Sequence, residues 1–145
     1  MSEQQAAILK PETIVEEFKK NGVTHVVTIP DSETNYLYEL MQEQPWLEVI
    51  PASREGETFA ISYGLFVGGK VPVCLIQNTG MLESGDSIRG YGLDSNFPMV
   101  FIVGYHYLVE QNVDGDRISL AFEEARATKR PVCVLIGDEY HGFNR

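Results

Sequence analysis

The 145-residue sequence has few basic side chains and only two cysteines, and no apolar run in it approaches the length of a membrane-spanning helix. Crossing a bilayer takes about 20 consecutive apolar residues, so an integral membrane protein is not expected. Eleven Lys and Arg residues stand against 21 Asp and Glu residues, a formal net charge of -10. Because nucleic-acid binding depends on Lys and Arg that neutralise phosphates, a nucleic-acid partner is not expected either.

The N-terminal residues do not have the basic stretch followed by an apolar stretch that marks a signal peptide. We therefore expect a cytoplasmic protein. Cys74 and Cys133 each lie within a short apolar run. A thiol in such a run usually behaves as a small core hydrophobe, so we expect both cysteines to be buried.

Hydrophobic residues make up 43% of the chain and charged residues 22%, a composition typical of a globular protein. The length suits a single domain, 1–145. Five apolar runs of strand length are continuous rather than alternating, which is typical of strands buried on both faces. These runs are Thr24–Ile29, Leu47–Ile50, Val71–Ile76, Met99–Val103 and Val132–Ile136.

Helical patterns lie between the apolar runs, with glycine or proline near their ends. They cover Pro11–Asn21, Glu33–Gln44, Gly56–Gly69 and Arg117–Lys129. The alternation of strand and helix predicts an α/β fold: a doubly wound, mainly parallel sheet flanked by helices, of the flavodoxin-like kind.

One junction does not fit this alternation. Tyr107–Glu110 has a strand pattern, but only Tyr105 and His106 separate it from the strand that ends at Gly104. A parallel crossover needs about a dozen residues or more. Either the two strands form a hairpin at a sheet edge, or residues of the natural protein are absent from the sequence between His106 and Tyr107. We favour the absent segment.

In open parallel sheets, ligands bind beyond the carboxyl ends of the strands. The segments that follow the first four strands are 30–32, 52–57, 77–80 and 105–106, and each is rich in hydrogen-bonding side chains. These segments are therefore the candidate functional loops.

Three stretches, in order, resemble the pyrimidine-binding domain of thiamine diphosphate-dependent 2-oxoacid decarboxylases. They are residues 22–32, residues 54–72 with their Arg-Glu-Gly start and Gly-Gly-Lys-Val-Pro end, and residues 77–80, Gln-Asn-Thr-Gly. The likeness is nearest to the sulfopyruvate decarboxylase alpha subunit and to phosphonopyruvate decarboxylase. It implies the thiamine diphosphate-binding fold and a carboxy-lyase that acts on a sulfopyruvate-like or phosphonopyruvate-like 2-oxoacid.

The resemblance also implies a role for Glu55. In this family a glutamate at the start of the same helix hydrogen-bonds N1′ of the aminopyrimidine ring, and the spacing to Gly64 matches Glu55. Glu57 lies two residues further on and so on a different helix face, which means that both carboxyls cannot address one ring. The alternative for Glu55 is an acidic first-turn residue that stabilises the helix dipole.

Several other residues are candidates for the site. Asp31 is either an N-cap of the following helix or, as the resemblance implies, an acid that assists proton transfer to the intermediate. His106 follows the fourth strand, where a proton shuttle could lie. The resemblance implies further cofactor contacts from Pro30, Gln77, Asn78 and Thr79. The alternative for the last three is that they satisfy backbone groups of their own loop.

Members of the resembling family hold the cofactor diphosphate through Mg²⁺ that is bound by a Gly-Asp-Gly motif and a later asparagine. Val113–Asp116 lacks both the leading glycine and that asparagine, so we assign no metal ligand to this chain. The resemblance then implies a diphosphate-binding beta subunit that carries the motif and the Mg²⁺, in a hetero-oligomer such as α2β2.

Two alternatives to a decarboxylase stay open. One is a thiamine diphosphate-dependent carbon–carbon lyase or ligase that acts on a ketone or acyloin. The other is a non-catalytic flavodoxin-like binding module, because one fold can carry many functions. Residues 81–89 are more acidic than the corresponding stretch of the two decarboxylases named above, which leaves the substrate open.

Overall fold

The computed structural model describes residues 9–31, 34–105 and 115–137. Five strands form one sheet in which every pair is parallel, in the order β2-β1-β3-β4-β5. They are β1 His25–Thr28, β2 Glu48–Pro51, β3 Pro72–Gln77, β4 Val100–Tyr105 and β5 Val132–Gly137. This is the flavodoxin-like order, in which the direction of winding reverses between β1 and β3.

Six α-helices and one π-helical segment accompany the sheet in the described part of the chain. The α-helices are α1 Pro11–Lys20, α2 Asn35–Gln42, α3 Glu55–Val67, α4 Asn78–Glu83, α5 Gly85–Ser87 and α6 Gly115–Thr128, and the π-helix is Ile88–Asp94. Helix α1 begins at a proline, whose fixed φ and missing N–H suit the first turn. After α1 and α3 the chain turns at Gly22 and Gly69, both with positive φ, which glycine adopts without steric cost.

Helices cover both faces of the sheet, so the fold is doubly wound. On one face α1, α2 and α6 bury side chains such as Phe18, Met41 and Ile118. On the other face α3 buries Phe59, which meets Phe101 of β4 edge to face with ring centroids 5.6 Å apart. Strands β1, β3 and β4 therefore contribute apolar side chains in both directions, which explains their continuous apolar runs.

The structure confirms the five predicted strands and the four predicted helices, with ends that differ by one or two residues. The sequence patterns missed α4, α5 and the π-helix, which follow one another within residues 78–94. This stretch has four glycines and no sustained apolar period, so packing against α3 and β4, rather than local preference, accounts for its helices.

The expectation that Cys133 is buried was wrong, whereas Cys74 is buried as expected. Cys133 lies on β5, an edge strand that is covered on one face only among the described residues. Val134 and Ile136 point into the core, while Cys133 and Leu135 are exposed. The predicted strand at Tyr107–Glu110 and the break after His106 lie outside the described residues and stay predictions.

Within the described ranges, no helix combines the length and the apolar character that crossing a membrane requires.

Candidate functional site

The carboxyl ends of β1 and β3 lie side by side where the winding of the sheet reverses. Thr28 of β1 is paired with Leu75 of β3, so the segments that follow these strands leave the sheet at the same edge. In open α/β sheets the crevice at this point is the usual ligand site. The segment after β2 leads into α3 at the same edge and brings Glu55 to it.

Glu55, the first residue of α3, is partly buried and is bonded to the end of β3. Its Oε1 atom accepts a hydrogen bond from Nε2 of Gln77 over 3.3 Å. No hydrogen bond to the Oε2 atom is found within the described part of the chain. One carboxylate oxygen is thus held by a neutral amide, and the other can bind a ligand.

Gly80 lies directly against the Glu55 carboxylate. Helix α4 begins immediately after Gln77, and Gly80 is its third residue. A Cβ atom at this position would overlap Cγ, Cδ and Oε1 of Glu55. Only glycine lets the carboxylate rest on the helix backbone in this way. The sequence predicts no role for Gly80, because α4 itself was not predicted and the contact joins residues that are distant along the chain.

Glu57 occupies a different place from Glu55. Its side chain is exposed, and its Oε2 accepts a hydrogen bond from the backbone N–H of Ser53 over 3.3 Å. The Glu57 carboxylate is thus bonded to the loop before α3, whereas Glu55 is bonded to Gln77. The two acids therefore have different surroundings, as predicted from the rule that residues two apart lie on different faces of a helix.

Arg54, the N-cap residue of α3, forms an ion pair with Glu83, the last residue of α4. The hydrogen bond to Glu83 and its charge raise the pKa of the Arg54 guanidinium above its already high value. Beside this pair lies a shallow pocket of about 390 Å³, lined by Glu57, Asp86, Tyr91 and others. The pocket wall carries more acidic than basic side chains.

Asp31 is not the N-cap of α2, which was one of its two predicted roles, because Thr34 occupies that position. Its Oδ1 atom accepts hydrogen bonds from the backbone N–H and the hydroxyl of Thr34, over 3.0 Å and 3.1 Å. Thr34 is buried and immediately precedes α2, so Asp31 supports the start of that helix. The described contacts of the Glu55 carboxylate come from Gln77 and Gly80, and a catalytic role of Asp31 stays a prediction.

The remaining predicted site residues differ in exposure. Pro30 and Thr79 are exposed, whereas Asn78 is buried at the start of α4. Their predicted contacts with a cofactor stay predictions. His106 lies outside the described residues. Across 9–31, 34–105 and 115–137, no group of three His, Cys, Asp or Glu side chains is arranged to hold a metal ion.

The sequence matches one family model over residues 11–114, and the description of that family is "Thiamine pyrophosphate enzyme, N-terminal TPP binding domain". Similar curated proteins are alpha subunits of sulfopyruvate decarboxylase. The protein from Methanocaldococcus jannaschii is 28% identical over 87 residues, 60% of this chain and 52% of that protein. The protein from Methanothermobacter thermautotrophicus is 23% identical over 117 residues, 81% of this chain and 68% of that protein. This chain thus spans about half the length of the first relative.

A solved structure with a similar fold is a 2-oxoglutarate:ferredoxin oxidoreductase from Magnetococcus marinus. The TM-score is 0.68 at 14% sequence identity, over 91% of this chain and 29% of that chain. At this identity the likeness concerns the fold alone. The matched domain in that enzyme is one part of a much longer polypeptide.

Proposed function

We propose that Glu55 binds the aminopyrimidine end of thiamine diphosphate. The premise is that this chain belongs to the family of thiamine pyrophosphate enzyme N-terminal TPP-binding domains. The observation that carries the proposal is the position of the Glu55 carboxylate. It lies at the reversal point of the sheet and is fixed between the Gln77 amide and the Gly80 backbone. No other acidic side chain described at this edge is held in the same way.

The residues around Glu55 suit a flat heteroaromatic ring with a basic nitrogen. The Gln77 amide fixes one carboxylate oxygen, so the other oxygen has a defined direction in which to meet N1′ of the ring. A partly exposed carboxyl that is bonded to a neutral donor can hold a proton and return it. When bound, thiamine diphosphate supplies the electron sink for cleavage of a bond next to a carbonyl group.

We further propose that the chain is the pyrimidine-binding subunit of a heteromeric 2-oxoacid decarboxylase. The support is that the curated relatives are named as alpha subunits of sulfopyruvate decarboxylase. In this proposal a partner beta subunit binds Mg²⁺ and the diphosphate, and the cofactor lies in the cleft between the two subunits. The substrate is a 2-oxoacid that carries a sulfonate or phosphonate, and the complex is cytoplasmic.

One observation favours a second candidate reaction. The pocket beside the start of α3 is lined by Glu57, Glu83 and Asp86, with Arg54 as the one basic side chain among its described residues. Such a wall repels a substrate that carries a sulfonate or phosphonate in addition to its carboxylate. A carbon–carbon lyase or ligase that acts on a neutral ketone or acyloin would avoid this repulsion. Product analysis with both substrate types separates the two reactions.

The experiment that tests Glu55 is the Glu55→Gln variant in the complex with the diphosphate-binding subunit. We expect turnover to fall by about 10² to 10⁴-fold, because an amide cannot give and take the N1′ proton. The melting temperature should stay within about 2 °C of wild type, because the side chain is only partly buried. Steady-state kinetics and thermal unfolding measure the two effects.

Glu57→Gln is the matched control, because it makes the same chemical change two residues away on the same helix. We expect it to keep wild-type turnover. Wild-type turnover of Glu55→Gln, with normal binding of thiamine diphosphate, would contradict the proposal.

A further inference from the structure

The acidic stretch at residues 81–89 is not part of the proposed Glu55 site, although Glu83 at the end of α4 pairs with Arg54, the residue before Glu55. Glu83 is the last residue of α4, and its Oε1 atom accepts a hydrogen bond from Nη2 of Arg54. The Arg54 side chain is 68% exposed and the Glu83 side chain is 44% exposed. Exposed ion pairs contribute little to stability, so a stabilising role explains this pair poorly.

The described hydrogen bonds give Arg54 and Glu55 different partners. Arg54 precedes Glu55 in the chain, yet the described hydrogen bond of the Glu55 carboxylate comes from the neutral amide of Gln77. Three carboxylates act on the Arg54 guanidinium and raise its pKa. Glu83 has the largest effect, followed by Glu57 and then Glu55. Glu83 also accepts the described hydrogen bond of the guanidinium, so it is the strongest of the three partners.

The other charged groups on the surrounding elements have partners of their own. Glu57 accepts a hydrogen bond from the loop before α3. Asp86 of α5 lines the same pocket and pairs with Arg89 over 2.8 Å. Asp31, from the loop after β1, accepts hydrogen bonds from Thr34. Apart from the Arg54–Glu83 pair, the charged groups named around Glu55 thus interact with other partners.

A cation on the Glu55 carboxylate would interfere with the proposed proton exchange. An opposite charge within about 4–6 Å favours the ionised form of a carboxyl group. A carboxyl that shares a proton with a ring nitrogen must also reach its protonated form, which a neutral amide donor permits.

Gln77, Gly80 and Glu83 are spaced three residues apart, so one face of α4 and its N-cap presents the amide, the glycine and the acid to the start of α3.

We propose that Glu83 is a positioning residue that holds the Arg54 guanidinium away from Glu55 and leaves the Glu55 carboxyl with a neutral hydrogen-bond donor. This inference rests on the proposed function of Glu55. It gives the acidic stretch a role in the site without making Glu83 a group that touches the cofactor.

The test uses Glu83→Gln, Arg54→Ala and the double variant, with Glu57→Gln as the matched loss of one negative charge near Arg54. In a crystal structure of Glu83→Gln we expect the Arg54 guanidinium within about 4 Å of the Glu55 carboxylate. In the reconstituted enzyme we expect Glu83→Gln to lower turnover at neutral pH about tenfold and to move the pH optimum to lower pH. The pH optimum moves down because a nearby cation favours the ionised form of the Glu55 carboxyl, so that a lower pH is needed to protonate it.

Arg54→Ala added to Glu83→Gln should restore the wild-type pH profile, since the displaced cation is then absent. Arg54→Ala alone and Glu57→Gln should keep that profile. The inference is overturned if the guanidinium of Glu83→Gln stays clear of Glu55, or if the double variant is as impaired as Glu83→Gln. A guanidinium that moves onto Glu55 supports the positioning role even if Glu55→Gln retains full turnover, an outcome that contradicts only the proposed function.

Discussion

Among single residues, Gly80 and Glu55 depend on each other, because the Glu55 side chain occupies the space that a Cβ atom at residue 80 would need. The Glu55 carboxylate needs a partner without a Cβ at the point where it meets α4, and Gly80 provides it. The sequence resemblance indicated Glu55, and helical geometry separated it from Glu57. The role of Gly80 could not be predicted, because it depends on a contact between residues 25 positions apart along the chain.

Gly80→Ala tests this contact. Alanine favours a helix by about 1 kcal/mol over glycine, so the substitution should not melt α4. The new Cβ overlaps the Glu55 side chain and must displace it. We expect weaker binding of thiamine diphosphate by the complex and a loss of turnover of about 10²-fold, because small displacements of a reacting group are costly. Calorimetry and kinetics measure both.

Gly85→Ala is the control for Gly80→Ala, because nothing lies within 4 Å of a Cβ at Gly85. It should bind the cofactor and turn over like wild type. Full activity of Gly80→Ala would mean that the site does not need the observed position of Glu55.

The two thiols give a prediction with a pH dependence. Burial raises the pKa of Cys74 to about 11, and packing around the sulfur of Cys133 raises its pKa to about 11 as well. The thiolate is the reactive form, so a raised pKa keeps both thiols slow at neutral pH. We expect the exposed Cys133 to react with a disulfide reagent at a rate that rises about tenfold per pH unit between pH 8 and 10.

Cys74, which is buried, should react only when the chain unfolds. Cys133→Ser should therefore remove the reaction of the folded protein. Fast labelling of two thiols per chain at pH 7 in the folded state would contradict these placements.

At the scale of elements, α3 links the site to the core. It begins at Glu55, and one turn later Phe59 is fully buried against β4. Apolar continuity and glycine positions predicted this helix and the central strands well. They predicted the burial of the edge strands less well, because β2 and β5 have the same apolar character as central strands but are covered less completely. The helices between residues 78 and 94 were not predicted, because this stretch has four glycines and no sustained apolar period.

Phe59→Ala tests the anchoring of α3. Removal of a fully buried phenylalanine ring typically lowers the free energy of unfolding by about 3–5 kcal/mol. We expect a loss in this range in urea unfolding of the full chain. Phe66→Ala, on the same helix but 37% exposed, should cost clearly less. Equal losses for the two variants would contradict the described packing of α3.

For the whole molecule, the strand order β2-β1-β3-β4-β5 is what brings the loops after β1 and β3 together with the start of α3. The alternation of strand and helix predicted a parallel doubly wound sheet, but not which strands are neighbours, because strand pairing is decided by contacts distant in sequence. The gathering of Glu55, Gln77 and Gly80 follows from that order. The partner subunit and the substrate stay proposals.

The most direct test of the central claim is calorimetric titration of thiamine diphosphate and Mg²⁺ into this chain alone, and then into its mixture with a candidate diphosphate-binding subunit from the same organism. The account predicts binding only in the mixture, and weaker binding when the chain carries Glu55→Gln. Absence of binding in the mixture, or binding that Glu55→Gln leaves unchanged, would contradict the claim that this domain completes a shared site through Glu55.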